Sequence, residues 1–207
     1  ERKLNYDHAG RLMKTWHNLN AQGWVLLTMN EYNELGQLVT KKLHNTDAEQ
    51  ASDETRQFKQ NVDYRYNIRG WVESVNDVSE PEAGDLFGMN LHYNNPTANG
   101  GAPQYNGNIS GMIWETSGDG IRRKYDYTYD NVNRLMSGLF EQHDPGGSWG
   151  ITQADFTMKM GNNGVDVASA YDANGNIQKM QHWGLKVTGP EPIDYLTYKY
   201  YLHTNRV

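Results

Sequence analysis

Tyr171-Asp172-Ala173-Asn174-Gly175-Asn176-Ile177 reads as the tip of a β-hairpin. The tyrosine ends one strand, where a ring with a polar edge covers a sheet face and keeps its hydroxyl near water. Asp172 bonds the backbone amides that follow it, as an Asx-turn does. Gly175 supplies the positive φ that closes the loop, and Ile177 starts the return strand. The same order of residue types stands at Tyr6-Asp7-His8-Ala9-Gly10-Arg11-Leu12, Tyr32-Asn33-Glu34-Leu35-Gly36-Gln37-Leu38 and Tyr66-Asn67-Ile68-Arg69-Gly70-Trp71-Val72. It returns at Tyr129-Asp130-Asn131-Val132-Asn133-Arg134-Leu135 and Tyr201-Leu202-His203-Thr204-Asn205-Arg206-Val207. A single such heptapeptide says little, but six copies with one internal spacing make a repeat.

Outward from the tips, Tyr64-Arg65-Tyr66 and Tyr125-Asp126-Tyr127-Thr128-Tyr129 put aromatics on one face at period two, which is strand spacing. The expected fold is all-β: antiparallel hairpin repeats forming a curved sheet, with residues 1–207 as a single repeat region. Tips are expected near 6–12, 32–38, 66–72, 105–109, 129–135, 171–177 and 201–207. The tip at Tyr105-Asn106-Gly107-Asn108-Ile109 is a shortened copy inside the widest gap, with Asn-Gly as a two-residue hairpin turn. Leu91-His92-Tyr93-Asn94-Asn95 reads as a strand running into a turn. Residues 46–57 form a polar insertion, in which Thr46 and Glu49 have capping-box spacing; a short surface helix and a solvated loop both fit. Asn94–Gly101 and Asp144–Gly150 read as surface loops, with Asp144-Pro145-Gly146-Gly147 as a tight turn.

Composition agrees with half-wet sheets. Aromatics make up 12% of the 207 residues, with 14 Tyr and 6 Trp against 4 Phe, and there are 21 Gly for turns. A net charge of -6 disfavours nucleic acid and anionic membrane as partners. The longest apolar runs fall far below the roughly 20 residues that span a bilayer, so no membrane span is expected. Zero cysteines exclude disulfides and thiolate chemistry. The chain begins at Glu1 with no leader-like segment and reads as an internal piece of a longer product.

The Tyr-Asp-x-x-Gly-Arg-Leu form at Tyr6–Leu12 and the Tyr-Asp-x-x-Gly-Asn form at Tyr171–Asn176 resemble the YD repeat of Rhs proteins, wall-associated proteins, insecticidal toxin complexes and teneurins. Asp85-Leu86-Phe87-Gly88-Met89 and Gln104-Tyr105-Asn106-Gly107-Asn108-Ile109-Ser110-Gly111 further resemble Rhs-like proteins of Bacteroidetes. The resemblance implies a strand ribbon that spirals into a hollow shell, which in toxin-bearing members encloses a C-terminal effector. Nothing in this chain matches the self-cleaving core or the toxin tail of those members. The expected function is therefore structural: a repeat segment of a secreted or cell-surface protein, non-enzymatic, whose partners are further repeats and an effector on its own polypeptide. Open sheet edges make edge-to-edge self-association a further expectation.

Chemical sites find weaker support. His8, His17, His44, His92, His143, His182 and His203 show no His-x-His or His-x-x-x-His pair, so no metal site is expected. Asp172-Ala173-Asn174-Gly175-Asn176 has alternate oxygen ligands like a calcium loop, but no closing Glu follows. No cofactor motif and no Gly-x-Ser-x-Gly elbow occurs. The alternative function is a carbohydrate-binding module, stacking sugars on Trp149, Trp114 and Trp183; Trp149, in a Gly-rich loop, is expected to be the most exposed. A glycan-active enzyme is the third and weakest reading, since nothing selects two acids among 25.

Overall fold

The computed structural model describes residues 1–46, 57–80, 82, 84–97, 101–144, 146–151 and 153–201. Nearly all regular structure is antiparallel β, as the hairpin pattern requires. The chain divides into two compact units, Glu1–Asn90 and Leu91–Val207, where the repeat pattern alone marks a single region.

The first unit is a sheet in chain order: β1 (Arg2–Tyr6), β2 (Leu12–Asn18), β3 (Trp24–Tyr32), β4 (Leu38–Asn45), β5 (Phe58–Tyr66), β6 (Val72–Val75) and β7 (Phe87–His92), the last running into the second unit. Every strand from β1 to β6 pairs antiparallel with the next. Each long hairpin closes identically. Tyr6 pairs with Leu12, Tyr32 with Leu38 and Tyr66 with Val72, each beside a register shift that bends the strand into its turn. Leu26 and Val78 are buried, while β2 is half-buried along its whole length. Such a thin sheet depends on cross-strand pairs more than on a deep core.

The second unit holds β8 (Gly111–Thr116), β9 (Arg123–Tyr129), β10 (Leu135–His143), β11 (Trp149–Gly150), β12 (Met158–Met160), β13 (Lys179–Lys186) and β14 (Gly189–Thr197). Their order is β8-β9-β10-β12-β13-β14, with β11 on the end of β10. Leu135 pairs with Tyr129, again beside a register shift, and Tyr171 bridges Ile177. A one-turn helix, α1 (Val167–Ala170), is capped by Asp166 and drops Ala170 into a cluster with Met136 and Met160, against which Tyr171, Ile177 and Met180 pack. Phe140, 1% exposed, is surrounded by Trp114, Tyr125 and Phe156.

Three expectations are corrected. The stretch Tyr105–Ile109 is no hairpin: a two-residue Asn-Gly turn needs positive φ at both residues, and only Gly107 has it. Its flanks are irregular, and Asn106 bonds sideways to Asn133 instead. Thr97 is buried rather than on a surface loop, because its hydroxyl donates to the buried Asp126 carboxylate. Trp149 is half-buried, because Trp149–Gly150 pairs with β10 and draws the ring onto His143. Nearly all of the 46–57 insertion, Glu49 included, lies outside the described residues, as does the 201–207 tip after Tyr201.

Candidate functional site

The recurring chemistry of this chain is its hairpin tips. At Asp7, Oδ1 accepts from the Ala9 and Arg11 amides, both at 2.9 Å, while Oδ2 accepts from Arg11 Nε at 2.7 Å. Asn33, Asn67, Asp130 and Asp172 each accept the same two amides, two and four residues on. Glycine closes four of the turns at φ between 78 and 85°, and Asn133 closes the fifth at 67°. Only glycine and, at a small cost, asparagine suit this backbone.

At four of the five tips the residue after the closing position matches the Asx side chain. Asp7, Asp130 and Asp172 face donors from Arg11, Arg134 and Asn176. Asn33, which has an amide to donate, faces the acceptor of Gln37. These bonds hold the carboxyls below the ordinary carboxylate range. At Asp7 the Arg11 amide contributes most, and at Asp172 the Asn176 side chain. At Asp130 burial raises the carboxyl, but the Arg134 amide and guanidinium outweigh it.

A lateral contact then joins one repeat to the next. Within the first unit, the Tyr32 hydroxyl donates to the Leu12 carbonyl at 3.0 Å and Tyr66 to Leu38 at 2.8 Å. Within the second, Tyr129 donates to Ile109, Tyr171 to Leu135 and Tyr200 to Ile177, at 2.5 to 2.8 Å. Each acceptor is the aliphatic that ends the preceding repeat. Ile109 keeps that place even though its own tip is not a hairpin. In the last repeat the bond comes from Tyr200 rather than Tyr201, which is 71% exposed. The arginines strengthen the same stack: Arg11 lies 5.0 Å from the Tyr32 ring centre and Arg134 4.5 Å from that of Tyr171.

One further turn, read in the sequence as a tight turn at Asp144–Gly147, shares the chemistry of the tips. Asp144 Oδ1 accepts the Ser148 amide at 2.9 Å, the Asp144 amide donates to the Ser148 carbonyl at 2.8 Å, and Gly147 closes the turn at φ 89°. It shares with the tips the bond from the amide four residues on and the closure at positive φ, with His143 where the others have tyrosine. The spacing from Asp144 to Gly147 was the available signal.

The other candidates are placed as follows. Asp172 turns its oxygens toward N–H donors, which a cation would have to displace. Among the described residues no three His, Asp or Glu gather as metal ligands. The tryptophan rings are engaged: Trp114 stacks on Tyr125 at 5.5 Å, Lys159 Nζ lies 4.9 Å from the Trp183 ring centre, and Lys124 Nζ lies 5.3 Å from that of Trp149. Lys124 itself is buried between Asp126 at 2.9 Å and Glu141 at 2.6 Å. Burial opposes its charge, but the bonds it donates to both carboxylates prevail and raise its pKa. A nearby open cleft of about 520 Å³ is lined by Glu115, Arg122, His143 and Asp144, with Glu115 and Arg122 paired at 2.9 Å.

No family model and no curated protein matches the chain. Among solved structures it is similar to TcdB2-TccC3 without its hypervariable C-terminal region, with a TM-score of 0.56 and 15% identity over 92% of this chain. The fold is YD-repeat-like. The chain spans 8% of the length of that structure's chain. A second similar structure is the Tc holotoxin pore of Photorhabdus luminescens, at 15% identity and a TM-score of 0.35, covering 98% of this chain and 11% of the other. Neither match bears on the resemblance to Bacteroidetes sequences. Among the described residues no helix is long and apolar enough to cross a membrane.

Proposed function

We propose that this chain is a wall segment of a secreted or cell-surface Rhs-like shell, whose sheet scaffolds or encloses an effector carried elsewhere on the same polypeptide. The observation that carries this reading is the tyrosine bond from each tip to the return strand of the repeat before it. Such a bond does nothing for a substrate. It sets hairpins side by side in a fixed register, which is what a wall requires. The likeness to TcdB2-TccC3, solved without a hypervariable C-terminal region, supports a scaffold that carries variable cargo.

On this reading the partners are further repeats of the same polypeptide, and the setting is extracellular or the bacterial surface. The segment performs no catalysis of its own, since its tip carboxylates are held by the turns they build. The carbohydrate reading gains no support, because Trp114, Trp149 and Trp183 are each engaged by a neighbouring ring or cation.

Limited proteolysis of the full polypeptide tests the proposal. Gly36→Val combined with Gly175→Val is expected to open the wall and expose the remaining polypeptide to trypsin. Unchanged resistance overturns the reading. Tryptophan fluorescence is expected to stay flat against a polysaccharide panel; a saturable shift lost in Trp149→Ala would favour the carbohydrate module instead.

A further inference from the structure

The dipeptide Asn-Gly occurs at Asn99, Asn106, Asn163 and Asn174. In this dipeptide the backbone nitrogen of glycine reaches the asparagine side-chain carbon easily, because glycine brings no Cβ and restricts the backbone least. Asn99 lies outside the described residues. The other three asparagines are all exposed, so exposure does not distinguish them.

The state of the glycine nitrogen does. Gly164 N donates to the Met160 carbonyl at 2.8 Å, and Gly175 N donates to the Asp172 carbonyl at 3.1 Å. Both nitrogens are held inside closed turns, and attack requires breaking those turns. Gly107 N has no hydrogen-bond partner among the described residues. Asn106 Oδ1 meanwhile accepts the Asn108 amide at 3.0 Å, which polarises its carbonyl and stabilises the negative charge that develops on Oδ1 during addition.

We propose that Asn106 is a site of spontaneous deamidation in the folded chain. Gly107 N adds to Asn106 Cγ, the new N–C bond closes a succinimide, and Nδ2 leaves as ammonia. Water then opens the ring at either carbonyl, giving aspartate or isoaspartate. Water is the sole co-reactant.

The modification reaches the neighbouring tip. Asn106 Nδ2 donates to Asn133 Oδ1 at 2.6 Å, and Asn133 is the residue that closes the 129–135 turn. Deamidation replaces that donor with a carboxylate facing an oxygen. The Asn133 amide must then turn over or the loop must release it. Either way a negative charge is installed beside the tip.

The test incubates the full folded chain at neutral pH and maps each site over time by proteolysis and mass spectrometry, with fragmentation that resolves Asn99 from Asn106. Asn106 is expected to convert several-fold faster than Asn163 and Asn174, with the rates converging in strong denaturant. Equal or faster conversion of Asn163 or Asn174 in the folded chain overturns the proposal. So does an Asn106 lead that persists in denaturant, which would place its cause in local sequence rather than in the fold. An Asn106 site that stays intact in the folded chain after the denatured chain has converted overturns it as well.

Discussion

The Tyr66 hydroxyl donates to the Leu38 carbonyl at 2.8 Å, across 28 residues of sequence. The donor belongs to one hairpin tip and the acceptor to the return strand of the hairpin before it. The tyrosine of the motif thus serves the neighbouring repeat as well as its own.

Tyr66→Phe removes this bond and leaves the Leu38 carbonyl without that donor. A loss of about 1–2 kcal/mol of stability is expected, measured by urea unfolding of the chain. Tyr6 stands at the same motif position but is 53% exposed. Tyr6→Phe should therefore change stability by less than about 0.5 kcal/mol.

Gly10 has φ 78° and open space where a Cβ would stand, so a substitution there meets backbone strain alone. Gly10→Val is expected to destabilise by roughly 1–3 kcal/mol, because a β-branched residue strongly resists this conformation. Gly10→Asn should cost clearly less, as Asn133 occupies the equivalent place in its own tip. Melting temperatures of the two variants decide the matter; equal losses would count against the turn assignment.

Asp130 and Arg134 are a matched pair at 2.7 Å, with the Asp130 side chain 3% exposed. Asp130→Asn keeps an oxygen for the turn amides but opposes the Arg134 donor with a second donor. A loss of about 1.5–3 kcal/mol is expected, the range for a bond to a charged group. Adding Arg134→Gln recreates the Asn33–Gln37 pairing and should recover part of the loss, short of the whole because Arg134 also stacks on Tyr171. A double-mutant cycle by urea unfolding measures the coupling.

Acid should unfold the chain through its tips. Asp7, Asp130 and Asp172 all have lowered carboxyl pKa values in the folded state. Asp119, bonded by the Arg123 side chain, is lowered to about 2. A carboxylate lowered by folding contributes stability above its unfolded pKa of about 3.9 and loses it as pH falls through the folded value. The melting temperature is therefore expected to hold from neutrality to about pH 5 and to fall between about pH 4 and 2. Circular dichroism melts across this range check it, and Asp130→Asn should make the fall shallower.

What could be read from the residues alone was what seven of them decide among themselves. An Asx side chain bonding amides two and four positions on, a residue at positive φ and an aliphatic that re-enters the sheet are local chemistry, and Tyr6–Leu12 through Tyr171–Ile177 carry it visibly. Asp144–Gly147 is legible as a tight turn but not as a repeat tip, because His143 breaks the pattern at its most conspicuous letter.

Tertiary structure decided everything that depends on a partner far along the chain. The carbonyls accepting the tip tyrosines lie 20 to 36 residues away, and strand register rather than spacing brings them within reach. Register likewise selected Tyr200 over Tyr201 and brought Trp149 against His143. Among the described residues it also left Gly107 N without a hydrogen-bond partner, while Gly164 N and Gly175 N are bonded. A turn is specified by the residues within it, whereas a contact between strands exists only once the sheet has fixed which residues stand opposite each other.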